Sequence, residues 1–106
     1  MKKIQNYING NLVPPESGEY IDNITPVTGE VYSLIPNSDL NDVNIAVDSA
    51  KKAFLTWSKL SKNKRYEHIM NLARTIEKYT DQLVAAESKD NGKPEWLAKS
   101  VDIPRV

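Results

Sequence analysis

The chain has no cysteine. That excludes a disulfide, a thiolate-ligated zinc or iron–sulfur centre and a thiol nucleophile within these residues. Glycine is scarce, occurring only at positions 10, 18, 29 and 92. Loops that cradle phosphate need several close glycines, so that backbone amides can approach the anion. Neither G-x-G-x-x-G nor a Walker A pattern is present, and no such loop can be assembled. His68 is the single histidine. Beside Glu67 in a helical stretch, with no second imidazole or thiolate near it in sequence, it reads as a surface residue and makes no metal pattern. Charge of neither sign is in excess: 14 Lys+Arg stand against 14 Asp+Glu. Such a balance gives no footprint for nucleic acid or an anionic membrane. No run approaches the roughly 20 apolar residues of a membrane-spanning helix. Lys2 and Lys3 have no apolar run behind them, so the opening segment is not a signal peptide. The expectation is a soluble, cytoplasmic protein with no nucleic-acid or membrane partner.

What is present is strand and turn first, helix afterwards. Residues 4–13 read as a hairpin, because Asn9-Gly10 suits a type I′ turn in which both positions need positive φ. Pro14-Pro15 stops its ladder, since proline offers no donor. Residues 20–24 and 30–35 read as strands of a second hairpin, joined by Pro26-Val27-Thr28-Gly29 and closed by Pro36. From residue 38 the period changes. Ser38 or Asp39 can cap a helix whose apolar positions are Val43, Ala46, Val47, Ala50, Ala53, Phe54 and Trp57, all on one face. Asp42, Asp48, Lys51 and Lys52 fall on the other side. Ser61 can cap a second helix with Ile69, Leu72, Ala73, Ile76 and Tyr79 on one face. Thr80 or Asp81 can open a third, with Leu83, Val84 and Ala86 inward, ending at Asn91-Gly92. Pro94 can start a short fourth helix, which Pro104 would break. Taken alone, this order predicts an α+β unit of two hairpins (1–36) followed by three to four helices (38–103).

The chemistry legible in these residues is thin. Lys59, Lys62, Lys64 and Arg65 form a basic cluster without the interleaved aromatics of a nucleic-acid surface, and read as a solvated corner. Trp57 continues an apolar helix face, so core packing is its expected role. Trp96 can pack locally or against a further part of a protein. Asp90, before Asn91-Gly92, reads from the residues alone as a helix-end polar group.

Several segments, in order, resemble the amino-terminal region of the aldehyde dehydrogenase superfamily. They are Tyr7-Ile8-Asn9-Gly10; Thr25-Pro26-Val27-Thr28-Gly29-Glu30-Val31; Asp42-Val43 through Ala46-Val47, Ala50, Ala53-Phe54 and Trp57; and residues 85–94, AAESKDNGKP. The family commonly has Asn-Pro where this chain has Thr25-Pro26. A narrower likeness runs through Tyr20-Ile21-Asp22, Glu30-Val31-Tyr32, Pro36-Asn37-Ser38, Ala86-Glu87-Ser88-Lys89-Asp90 and Asp102-Ile103-Pro104-Arg105. It points to the subgroup that oxidises 2-aminomuconic and 2-hydroxymuconic semialdehydes.

The resemblance implies an α/β parent enzyme with a Rossmann-like cofactor domain and a catalytic domain, using NAD or NADP and forming a homo-oligomer. In that family a cysteine thiolate attacks the aldehyde and hydride passes to the cofactor. A glutamate then activates the water that hydrolyses the thioester, and an asparagine side chain with a backbone N–H holds the oxyanion. These groups, and those that hold the nucleotide, lie in the family beyond the length of this sequence. The implied catalytic and cofactor-binding residues here are therefore none. The implied role of residues 1–106 is scaffolding within an incomplete cofactor-binding domain, whose partner is the remainder of the chain. One family feature falls inside: a structural monovalent-cation site for K+ or Na+, whose ligands match Ile24, with Asn23 beside it, and Asp90. Two rival readings are a small non-catalytic helical interaction protein and a functionless truncated gene product.

Overall fold

The computed structural model describes all of residues 1–106, which form two units. One comprises residues 1–24 and 31–60; the other comprises 25–30 and 61–106.

The first unit opens with β1 (Lys2–Lys3), β2 (Asn6–Ile8) and β3 (Asn11–Val13). β2 and β3 pair antiparallel with Ile8 opposite Asn11, leaving Asn9-Gly10 as the two-residue turn. Both turn residues have positive φ, 53° and 78°, as a type I′ turn requires. β4 (Tyr20–Ile24) and β5 (Val31–Pro36) form the second hairpin, with a bulge at Asn23/Ile24. β5 extends through Pro36, one residue past the expected end. The pairing of β1 parallel to β5 was not expected; it makes a three-stranded sheet of order β1-β5-β4. The Ile4 amide continues it by donating to the Leu34 carbonyl at 2.8 Å. Two lysines carry no strand signal of their own, so this pairing is imposed by the exposed edge of β5.

Helix α1 (Leu40–Trp57) follows. Asp39 is its N-cap, accepting from the Asn41 and Asp42 amides, and Asp42 Oδ2 accepts in return from the Asp39 amide at 2.9 Å. This is a reciprocal capping box with aspartate in place of the usual glutamate. The other candidate cap, Ser38, instead accepts from Asn6 Nδ2 at 2.8 Å. Asp42 does not lie on the solvent side as its spacing suggested. It is buried, and its Oδ1 accepts from the Glu16 amide at 2.9 Å, tying the loop after Pro15 to the helix start.

The second unit contains α2 (Lys62–Lys78), capped by Ser61 Oγ accepting from the Lys64 amide at 3.2 Å, and α3 (Thr80–Asn91). Tyr79 separates them with non-helical ψ, and Thr80 Oγ1 donates to the Glu77 carbonyl at 2.8 Å. α3 ends where Gly92 takes φ 76°. The fourth helix, α4, is only Glu95–Leu97; a π turn (Ala98–Asp102) and a 3-10 turn (Ile103–Arg105) continue it. Pro104 does not break the path, because it sits in the first turn of the 3-10 segment, where its missing N–H has no intrahelical partner to lose.

Apolar burial is sparse in both units. Besides Pro15, only Val84, at 4%, and Ala98, at 0%, are buried apolar residues. The expected inward face of α1 is present in the pattern but largely uncovered: Phe54 is 62% exposed, and Val43, Val47 and Trp57 are also exposed. On α2, Ile69 and Leu72 are exposed as well, and on α3 Val84 alone of its predicted inward residues is buried. None of the helices is long and apolar enough to cross a membrane.

Candidate functional site

The most built region of the first unit is the middle of its sheet. Asn23 on β4 lies opposite Ser33 on β5, and Ser33 is buried. Asn23 Nδ2 donates to the Tyr32 hydroxyl at 2.9 Å and to Ser33 Oγ at 3.2 Å. At the bulge, Ile24 pairs with Val31, so Tyr32 is the extra residue. A bulge of this kind re-aims the side chains around it, and here Tyr32 is turned to meet the Asn23 amide. Ile24 keeps an exposed side chain.

The second unit's polar cluster surrounds the end of α3. Thr25 is buried, and its Oγ1 donates to the Lys89 carbonyl at 2.7 Å. It is held there by its own turn: Thr25 accepts from the Gly29 amide at 2.9 Å and donates its amide to the Glu30 carbonyl at 3.0 Å. A late carbonyl of α3 thereby gains a side-chain donor. Three residues further on, a Cβ built on Gly92 would stand 3.0 Å from Pro26 Cγ. Glycine at 92 therefore serves both the left-handed cap and the close approach of the 25–30 turn. Asp90 lies in the last turn of α3. Beyond the cap, Lys93 Nζ pairs with Asp102 at 2.5 Å, and both side chains are only partly exposed. The pair bridges the residue after the cap and the end of the π turn.

The cation ligands implied by the sequence thus fall on known elements: Asn23 and Ile24 on β4, Asp90 on α3. Sequence reasoning missed three residues that carry much of the local structure, Thr25, Ser33 and Asp42. Thr25 had a signal, since it stands where the resembled family has asparagine. Ser33 had none, and Asp42, though among the residues that carry the resemblance, gave no sign of its burial, because polar residues at such spacing normally face water.

No catalytic constellation is present. There is no cluster of three His, Cys, Asp or Glu side chains that could hold a metal. His68 is exposed on α2, as are Lys62 and Lys64; Lys64 pairs with Glu67 at 3.0 Å, and Arg65 is half-buried. Trp57, expected in a core, is exposed, and Trp96 is 69% exposed. A cavity of about 330 Å³ in the second unit is lined by Ala73, Ile76, Glu77, Thr80, Ile103, Pro104 and Val106. It offers one carboxylate and no nucleophile paired with a base. A hollow of about 200 Å³ in the first unit lies between β2 and the start of α1, and the only titratable groups in its lining are Tyr7 and Asp42, whose carboxylate is already engaged with two backbone amides.

The model of the aldehyde dehydrogenase family matches residues 12–106. Among curated relatives, 2-aminomuconic semialdehyde dehydrogenase of Bos taurus is 41% identical over 103 residues, covering 97% of this chain and 21% of its own length. The protein of that name from Danio rerio is 45% identical over 102 residues, covering 96% and 20%. The chain spans about a fifth of the length of these relatives. Among solved structures, PnpE of a Pseudomonas strain, determined with nicotinamide adenine dinucleotide, superposes with TM-score 0.92 at 34% identity, covering 96% of this chain and 21% of that one. An aldehyde dehydrogenase from Bartonella henselae superposes with TM-score 0.93 at 27% identity, covering 98% and 22%.

Proposed function

The chain belongs to the aldehyde dehydrogenase family, and from that premise we propose that residues 1–106 are the amino-terminal scaffold of an NAD(P)-dependent enzyme that oxidises an aldehyde to a carboxylic acid. The observation that carries this reading is the family match over residues 12–106, and hydrogen bonds that hold turns and helix ends support it. A muconic semialdehyde is the proposed substrate class, supported by the 41% and 45% identities to 2-aminomuconic semialdehyde dehydrogenases. The proposed partner is the remainder of an aldehyde dehydrogenase chain, within a homo-oligomer.

The residues present do not fit a nicotinamide dinucleotide. Each of the four glycines is spent on a separate turn or cap with positive φ, so none are grouped where backbone amides could converge on a pyrophosphate. No reaction step is therefore assigned to this chain. For Asn23, Ile24 and Asp90 the proposed role is to supply oxygen ligands to K+ or Na+. Amide, carbonyl and carboxylate oxygens are the donors a hard cation prefers, and the family resemblance supports the assignment. Replacing Asp90 by asparagine should then weaken any stabilisation that K+ gives over a larger inert cation in thermal melts. An unchanged K+ effect would remove Asp90 from the ligand set.

The function is tested by two measurements. The purified 106-residue chain, given an aldehyde with NAD+ or NADP+, should produce no reduced nicotinamide above a blank; turnover would sink the scaffold reading. Sequencing the DNA past codon 106 supplies the second. An open frame encoding a glycine-bearing cofactor segment and a later cysteine is expected, and an immediate stop would favour the small interaction protein.

A further inference from the structure

Two of the chain's asparagines, Asn9 and Asn91, precede glycine. An Asn-Gly pair is chemically exposed, because a residue without Cβ leaves its own amide nitrogen unhindered. That nitrogen can attack the asparagine Cγ. The N–Cγ bond forms, the Cγ–Nδ2 bond breaks, and ammonia departs carrying the amide proton. The resulting five-membered succinimide is opened by water at either carbonyl, giving aspartate or isoaspartate. Water is the only co-reactant.

The two sites share exposure and sequence, so neither can decide between them. Hydrogen bonding does. At residue 91 every participating group is engaged: Asn91 Nδ2 donates to Glu87 Oε1 at 2.7 Å, Asn91 Oδ1 accepts from the Lys93 amide at 2.8 Å, and the attacking nitrogen, Gly92 N, donates to the Ser88 carbonyl at 2.9 Å. Pro26 packed on Gly92 further restricts the cap. At residue 9 only the backbone carbonyl is engaged, accepting from Asn11 Nδ2 at 3.1 Å. The Asn9 side-chain amide and the Gly10 N–H make no hydrogen bond. The surrounding hairpin has two strands of three residues each, a size that is marginal without further strands.

We propose that Asn9 is a self-modification site of this chain, converting through a succinimide with Gly10, and that the bonds around Asn91-Gly92 hold the second site against the same reaction. The hairpin opens at low cost, which frees the main chain around Asn9 to reach the attacking geometry. An isoaspartate at position 9 adds a methylene to the main chain, which a two-residue turn cannot absorb without losing the Ile8–Asn11 register.

The test compares the intact 106-residue chain in mildly alkaline buffer with the same chain in concentrated urea, following each site by peptide mass mapping with an isoaspartate-sensitive digest. Asn91 should convert at least about tenfold more slowly in buffer than in urea, and Asn9 no more than about threefold more slowly, since local opening sets the protection at each site. If Asn9 is slowed as much as Asn91, or neither site is slowed, the proposal is overturned. Glu87→Ala removes the acceptor of Asn91 Nδ2 and should speed conversion at Asn91 while leaving Asn9 unchanged. No acceleration at Asn91 would overturn the protective role assigned to those bonds.

Discussion

Replacing the Asp42 side chain by a methyl group would strand two backbone donors at once. Its Oδ1 serves the Glu16 amide and its Oδ2 the Asp39 amide, each at 2.9 Å and each partly shielded from water. A buried donor left without an acceptor costs about 1–3 kcal/mol, more than the mean worth of the bond itself. Asp42→Ala should therefore raise amide exchange at Glu16 and Asp39 by about tenfold or more, while Asp42→Asn, which keeps one acceptor oxygen, should raise it less. Unchanged exchange at Glu16 would show that the loop after Pro15 is held by something else. This residue also marks a limit of sequence reading. Periodicity placed Asp42 with Asp48, Lys51 and Lys52 on the wet side of α1, and for a helix in isolation that is correct. What buries it is a donor 26 residues earlier, and no pattern local to the helix contains that information.

At the scale of elements, the readable features were those whose cause is local. Asn9-Gly10 gave the first turn because positive φ is a property of those two residues. Ser61 and Gly92 gave a helix start and a helix end for similar reasons. β1 was not readable, since Lys2–Lys3 is a strand only by virtue of β5. The bulge at Asn23/Ile24, which meets the candidate cation ligands, was equally silent, because it reflects how β4 and β5 share a register. The Thr25 turn lies between these cases. Its glycine was legible, but its hydroxyl bond to the Lys89 carbonyl spans 64 positions. That bond leads to a specific expectation. Thr25→Val keeps the shape and removes the donor, and should weaken the docking of the 25–30 turn on α3 by about 1–2 kcal/mol. Thr25→Asn, the residue found here in the resembled family, retains a donor in Nδ2 and should restore most of it. Amide exchange at Gly29, whose N–H bonds Thr25, reports both variants; equal protection in the valine variant would detach the hydroxyl from the turn's stability.

For the molecule as a whole, the amount of surface decides the matter. The chain exposes 8208 Å² at a mass of 12.0 kDa. A compact monomer of that mass exposes about 6,000 Å², and even two separate compact units of half the mass would together expose about 7,200 Å². The excess survives either comparison, so it lies within the units and does not depend on how they are arranged. It is apolar in the places that matter: Phe54, Leu55 and Trp57 on α1, Ile69 and Leu72 on α2, and Trp96 beyond the α3 cap. Helices of this length draw most of their stability from an apolar face packed on a partner, and here the helix caps and turns stand largely without that contribution. Local signals could specify where each helix starts and stops, and the 3.6-residue period could specify which face is apolar. Neither could say whether anything covers it. The isolated chain is therefore expected to bind a hydrophobic dye such as ANS, to self-associate in sedimentation at micromolar concentration, and to melt broadly, with helical signal lost over a wide temperature range. A sharp, cooperative melt from a clean monomer that does not bind the dye would mean that these faces find partners within the 106 residues, and the scaffold reading would lose its physical basis.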